Sequence, residues 1–109
     1  MRIGTFCLHA SDPERAAGFW SAALGYTARP EAPDQLVPPG GEGPQLGLYG
    51  DATHLDLYVD DATEQQAEVD RLVGLGAQRV EDWPYPEDAD FVVLRDPEGN
   101  LFCVVDTSA

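Results

Sequence analysis

The sequence FVVLRDPEGNLFCVVD, residues 91–106, contains two apolar runs separated by the five residues DPEGN. Branched and aromatic side chains of this kind favour β-strands. In the spacer, Asp96 can accept backbone hydrogen bonds, Pro97 has a fixed φ, and Gly99 can adopt the left-handed region. The pattern therefore predicts a β-hairpin with strands over Phe91–Arg95 and Leu101–Asp106.

The stretch HLDLYVDD, residues 54–61, alternates between apolar and polar side chains. Because successive side chains of a strand point to opposite faces, the alternation predicts a half-buried strand. The apolar members are Leu55, Leu57 and Val59, and the polar members are His54, Asp56 and Tyr58. The acidic residues from Asp60 to Glu64 favour the positive end of a helix. After that helix, which Gly76 ends, we predict a short strand over Gln78–Asp82.

The first half of the chain shows the same order of signals. The sequence SDPE, residues 11–14, supplies a helix N-cap and a proline in the first turn, and Gly25 predicts the end of that helix. Outside the helix, residues 30–44 are expected to be irregular apart from one short strand. The predicted strands are Ile3–Ala10, Tyr26–Arg29, Gln35–Val37 and Gln45–Tyr49.

The two halves can be aligned by a shift of 49 positions, which places Thr5–Asp12 on His54–Asp61. Apolar positions then coincide with apolar positions. We therefore predict an α+β fold of two βαβββ modules, about 1–50 and about 51–109, that form a single domain with a curved mixed sheet. The helices would cover one face of the sheet, and the other face would enclose a cavity.

Composition excludes several classes of partner. The chain has 109 residues, with 20 acidic and 6 basic side chains and a formal net charge of −14. Nucleic acids and anionic membranes both require a basic surface, so neither is expected to bind. The beginning of the sequence lacks the apolar region of a signal peptide, and no apolar run reaches membrane-spanning length, so we expect a cytoplasmic protein.

Three segments together resemble the vicinal-oxygen-chelate superfamily, which includes glyoxalase I, bleomycin-resistance proteins and extradiol dioxygenases. They are the two quoted above and SDPERAAGFWSAALGY, residues 11–26. The resemblance is greatest to the glyoxalase-like group. It implies the same two-module fold and assembly as a homodimer, but it does not specify one activity.

The resemblance also implies where a metal would bind. In metal-using members, four ligands come from the first and last strands of the two modules. Here these positions fall on Thr5, on a residue within 45–49 of which Gln45 is the plausible ligand, on His54, and on Cys103. A catalytic divalent metal needs about three protein ligands. We therefore expect no resident cofactor. A divalent metal held by His54, the one position with an intact ligand type, is the alternative.

Seven residues are candidates for ligand binding, and most have a structural alternative. His54 could contact a ligand or be held by a neighbouring side chain, and Asp56 could pair with His54 or Tyr58 or bind a cationic or hydroxyl-bearing ligand. Trp83 and Tyr85 could form a lid or anchor their own loop. His9 could be a surface residue and Cys103 a packed one. The full set is Thr5, His9, His54, Asp56, Tyr58, Phe91 and Cys103.

These observations favour a small-molecule-binding protein that holds a cationic or neutral organic ligand in the concave sheet, in a resistance or sequestration role. The alternative is a metal-dependent lyase, isomerase or dioxygenase of glyoxalase type that uses His54 with non-standard partners. A third interpretation is a subunit that acts through assembly alone. The sequence leaves open whether the protein is an enzyme.

Overall fold

A computed structural model describes residues 1–48 and 53–109. The chain forms two compact units. The first unit comprises Ile3–Thr53, and the second comprises His54–Ala109 together with Met1–Arg2. Each unit carries one α-helix and a mixed sheet in the order strand, helix, three strands, which confirms the α+β class and the two βαβββ modules.

The elements of the first half are β1 (Arg2–Cys7), α1 (Pro13–Leu24), β2 (Thr27–Arg29), β3 (Ala32–Val37), a 3₁₀ turn (Pro39–Gly41) and β4 (Gln45–Gly47). Those of the second half are β5 (His54–Val59), α2 (Ala62–Gly74), β6 (Gln78–Arg79), β7 (Phe91–Arg95) and β8 (Leu101–Asp106). Neither helix is long and apolar enough to span a membrane.

In the first unit, the strand order is β2-β3-β4-β1, and β1 is parallel to β4 while the other neighbours are antiparallel. Its core lies between α1 and one face of the sheet, because the apolar side chains of α1 at three- and four-residue spacing share one side of the helix. The buried core residues are Ala10, Leu36, Leu46 and Leu48, and Ala16, Ala17 and Trp20 of α1 pack against them.

In the second unit, the order is β5-β8-β7-β6, and β5 is parallel to β8. The hairpin of β7 and β8 has the predicted bounds. The alternation in β5 also holds, since its apolar members pack towards α2. The buried core residues are Val59, Val69, Ala77, Leu94, Phe102 and Val104, with Leu55, Leu57, Leu72 and Val92 packed against them.

Both helices begin at the predicted acidic caps. The Asp12 carboxylate accepts from the Arg15 backbone N–H at 3.1 Å, and the Asp61 carboxylate accepts from the Glu64 N–H at 2.8 Å. These caps satisfy N–H groups that have no partner within the helix. Helix α1 ends at Gly25 with φ 72°, a left-handed conformation that glycine adopts at little cost.

Several predicted strand bounds were wrong. Strand β1 ends at Cys7 instead of Ala10, and β6 ends at Arg79 instead of Asp82. Strand β3 begins at Ala32, inside a segment expected to be irregular, because it pairs with β2 on one side and β4 on the other. Helix α2 extends to Gly74, and Gly76 terminates it as predicted, with φ 116° and its N–H donating to the Val73 carbonyl at 3.0 Å. Strand β4 ends at Gly47, and the predicted end at Tyr49 lies outside the described residues.

The Asp96 carboxylate holds the β7–β8 turn together. It accepts from the side-chain amide of Asn100 at 2.9 Å, and from the backbone N–H groups of Asn100 at 2.8 Å and Glu98 at 2.9 Å. These hydrogen bonds favour the charged carboxylate and lower the pKa of Asp96 from its ordinary value of 3.8. The bond from the Asn100 side chain has the largest effect, and the bond from the Asn100 backbone N–H has the next largest.

We expect Asp96→Ala to lower the free energy of unfolding at pH 7. Because the folded state lowers this pKa, the stabilisation from the charged carboxylate is complete above 3.8 and is lost as the pH falls through the lower folded value. The difference in the free energy of unfolding between the wild type and Asp96→Ala, measured by urea unfolding, should therefore be smaller at pH 3 than at pH 7. Asp88→Ala, in the exposed loop before β7, is the control. An equal difference between the wild type and Asp96→Ala at pH 7 and pH 3 would contradict the prediction.

Candidate functional site

The polar side chains of β5 lie on the face of the sheet opposite α2. His54, Asp56 and Tyr58 alternate with the core residues of the strand, and all three are partly buried. The Nε2 atom of His54 is 3.3 Å from Oδ1 of Asp56, and the two side chains are 18% and 22% exposed. Asp56 thus pairs with His54, one of the alternatives that the sequence left open.

The strand register extends this face across β8 and β7. Tyr58, Val105 and Phe91 lie side by side on one rung of the sheet, and Asp56, Cys103 and Val93 lie on the next. His54 precedes the pair of Leu55 and Phe102, so the third rung continues from His54 through Leu101 to Arg95. We call this surface the site face; its nine side chains are His54, Asp56, Tyr58, Phe91, Val93, Arg95, Leu101, Cys103 and Val105.

The Cys103 thiol is neutral on this face at physiological pH. Burial, the neighbouring Asp56 charge and a thiol hydrogen bond to Asp56 raise the pKa of Cys103 to about 12. The reactive and metal-binding form of cysteine is the thiolate. Cys103 therefore acts here as a hydrogen-bond donor to Asp56.

Aromatic residues border one end of the site face. The Arg2 guanidinium carbon lies 5.8 Å from the ring centroid of Tyr58, a cation–π contact, and Arg2 Nη1 is 3.0 Å from Oδ1 of Asp60. The rings of Phe91 and Tyr85 are 5.5 Å apart. Sequence analysis missed Arg2, because a lone arginine far from Tyr58 in sequence carries no local signal.

Tyr85 anchors the loop before β7. Its hydroxyl accepts the backbone N–H of Val93 at 2.7 Å, and the neighbouring Val80 N–H donates to the Val93 carbonyl at 2.9 Å. The Tyr85 hydroxyl thus takes the place of a strand partner where β6 has ended. These contacts favour the anchoring role over a lid for Tyr85.

The remaining predicted site residues lie in the first unit. Thr5 is buried on β1, with 4% of its surface exposed. His9 is exposed and follows the end of β1, and its backbone N–H donates to Thr53 Oγ1 at 3.3 Å. That Thr5 and His9 share one cavity with the residues of β5 stays a prediction.

The strand registers show how poorly the metal positions match the usual ligand types. In the second unit Asp56 pairs with Cys103, and in the first unit Cys7 pairs with Gly47. Since the shift of 49 places Cys7 on Asp56, the position equivalent to Cys103 is Gly47, which has no side chain. The four positions are thus Thr5, Gly47, His54 and Cys103. Because threonine is not an ordinary ligand and glycine has no side chain, this set does not supply the three protein ligands of a resident divalent metal.

Residues 5–105 match the model of the family described as the glyoxalase-like domain. The chain belongs to this glyoxalase-like family. Solved structures of the glyoxalase, bleomycin-resistance and dioxygenase superfamily share its fold. One such member, from Vibrio splendidus 12B01, is 19% identical with a TM-score of 0.58, and the match covers 94% of this chain and 96% of that one.

Two further structures resemble this glyoxalase-like chain. Methylmalonyl-CoA epimerase from Mycobacterium tuberculosis is 18% identical with a TM-score of 0.63, covering 96% of this chain and 87% of that one. A structure described as an NAD-dependent benzaldehyde dehydrogenase from Legionella pneumophila is 12% identical with a TM-score of 0.68, covering 94% and 96%. No curated protein matches significantly. At these identities the likeness shows the fold alone.

We expect Cys103 to react slowly with iodoacetamide at pH 8, because a thiol with a pKa of about 12 supplies little thiolate. Asp56→Asn removes the charge and weakens the hydrogen bond that raise this pKa, so the reaction should accelerate, although burial still opposes it. Mass spectrometry of the Cys103 peptide measures the rate. Asp82→Asn, which changes an exposed carboxylate, is the control. Equal rates in the wild type and Asp56→Asn would contradict this account.

Tyr85→Phe should lower the free energy of unfolding by about 1–3 kcal/mol, because the part-buried Val93 N–H loses its acceptor while the ring contact with Phe91 is kept. Chemical denaturation measures the loss, and amide hydrogen exchange at Val93 should increase. Trp83→Phe, in the same loop, is the comparison. Unchanged exchange at Val93 would show that this hydrogen bond is not important in solution.

Proposed function

We propose that this protein binds an organic small molecule on the site face and acts by holding or sequestering it, without the usual metal set of its superfamily. The observation that carries the proposal is the His54, Asp56 and Cys103 cluster, in which partly buried donors and one carboxylate meet on a largely apolar surface. Small-molecule sites commonly combine apolar walls with a few polar groups that fix orientation.

The composition of the site face supports binding. Its middle rung carries the polar pair of Asp56 and Cys103, while Tyr58, Val105 and Phe91 provide an apolar and aromatic rung beside it. Burial of apolar ligand surface against the rung of Tyr58, Val105 and Phe91 would supply binding free energy. The polar pair of Asp56 and Cys103 would fix the orientation of the ligand.

The chemistry of the same groups supports retention of a ligand over its conversion. The neutral Cys103 thiol is a poor nucleophile, and the metal positions do not supply three ordinary ligands. The competing proposal, a metal-dependent lyase, isomerase or dioxygenase, is favoured by one observation. His54 is a residue type that binds metals and lies at a position where the resemblance places a metal ligand. Oδ1 of Asp56, 3.3 Å from Nε2 of His54, would be a second ligand atom.

One experiment separates the two proposals. Purified protein is analysed for bound metal and screened against a fragment library and against Ni²⁺, Zn²⁺, Mn²⁺ and Fe²⁺ by thermal shift. We expect no stoichiometric metal, and we expect organic fragments that raise the melting temperature and perturb backbone NMR signals of β5, β7 and β8. A hundredfold excess of ligand over its Kd corresponds to about 2.7 kcal/mol of stabilisation.

Matched variants decide the interpretation. His54→Ala should weaken the fragments that perturb β5, whereas Asp82→Ala, at an exposed carboxylate, should leave them unchanged. A stoichiometric metal that is lost in His54→Ala would overturn the binding proposal and support the enzyme. A library without any response on the site face would also overturn it.

We further propose the single-domain organisation, homodimer and cytoplasmic location implied by the sequence. Sedimentation equilibrium of the purified chain tests the dimer.

A further inference from the structure

Resting on the function proposed above, we infer that the ligand is an organic cation with an aromatic or apolar body, whose charged group is held by Asp56. The argument uses the position of Asp56 on the site face, the charges of its neighbours, and the aromatic rung beside it.

Asp56 is the centre of negative charge on its rung. Its partners across the sheet, Cys103 and Val93, carry no positive charge, and the Cys103 thiol donates a hydrogen bond to the Asp56 carboxylate. His54 of the same strand has its Nε2 atom 3.3 Å from Oδ1 of Asp56, so a bound cation would share the carboxylate with this imidazole. With its side chain only 22% exposed, Asp56 lies where a charge is less well hydrated than at the surface. A cation at this point would gain more than it does beside a fully solvated carboxylate.

The aromatic rung determines the shape of the cation. Two residues along a strand advance about 6.6 Å, which is comparable to the reach from an ammonium group across a short linker to a ring. A charge at Asp56 therefore places a ring or alkyl body near Tyr58 and Phe91. The Arg2 guanidinium over the Tyr58 ring shows that this end of the face already accepts a cation beside an aromatic group.

The two arginines near the face do not favour an anion instead. Arg95, at the end of the third rung, is exposed, and its Nη1 donates to the Gly99 carbonyl at 3.1 Å, within its own turn. Arg2 is paired with Asp60. An anionic ligand would have to approach Asp56 in the field of a chain with net charge −14, which instead attracts cations.

The test compares three probes of similar shape by NMR titration: phenethylammonium, neutral 2-phenylethanol and anionic 3-phenylpropionate. We expect the cation to bind at least about tenfold more tightly than the neutral probe, with shifts in β5, β7 and β8, and the anion to give no shifts there. Asp56→Asn should weaken the cation about tenfold and leave the neutral probe unchanged.

Two variants control for charge and for folding. Asp82→Asn makes the same change in net charge at an exposed position, so its effect on the cation should be less than about twofold if Asp56 acts locally. Asp56→Glu keeps the charge and should keep the preference for the cation. Preserved NMR dispersion confirms that each variant is folded.

The outcomes separate this inference from the proposed function. If the neutral probe or other fragments bind the site face as tightly as the cation, or if Asp56→Asn and Asp82→Asn have equal effects, the cation inference is wrong and small-molecule binding stands. A cation response confined to other surfaces also contradicts it. If neither the probes nor the fragment library perturb the site face, the proposed function itself fails.

Discussion

The parallel pairing of β5 with β8 is the constraint on which the second unit depends. Its register joins Leu55 to Phe102 and Val59 to Asp106, so the apolar side chains of β5 reach the core under α2. Because side chains alternate with a period of two, a slip by one residue would bury His54 and Asp56 in that core and expose the leucines. The cost of burying those polar groups fixes the register, and the register in turn places Asp56 beside Cys103.

The fold could be predicted wherever local signals and tertiary packing agree. The β7–β8 hairpin was predicted to the residue, because the Asp96 turn and the flanking strands specify the same structure. Helix α1 was likewise specified by the Asp12 cap and by Gly25. Prediction failed at β3, whose first residues include Pro33 and lack a strand pattern of their own. Ala32 joins the strand by pairing with Arg29 of β2, while the pairs with β4 come later in the strand, at Gln35 and Leu36. The sequence pattern of these first residues does not show such pairing.

The candidate site was predictable only in part, for the same reason. Alternation in β5 placed His54, Asp56 and Tyr58 on one face, but it could not show that Asp56 and Cys103 share a rung. That relation depends on the register between strands that are distant in sequence. The contacts of Arg2 with Tyr58 and of the Tyr85 hydroxyl with Val93 likewise bring together residues with no shared pattern. The alternation within a strand thus shows which side chains share a face. The pairing between strands determines which side chains from different strands lie together in the site.

The pairing of Asp56 with Cys103 bears on how this chain departs from the metal-using members that it resembles. Cys103 occupies the last-strand position at which the resemblance places a metal ligand. The carboxylate of this region lies on the neighbouring strand, at Asp56, where it accepts a hydrogen bond from the thiol and has Oδ1 3.3 Å from His54 Nε2. His54 and Cys103 of the same unit both contact the Asp56 carboxylate, so a cation bound there would share it with these two side chains. Under the proposed function, the position of this carboxylate beside the rung of Tyr58, Val105 and Phe91 supports a ligand that joins a positive group to an apolar body.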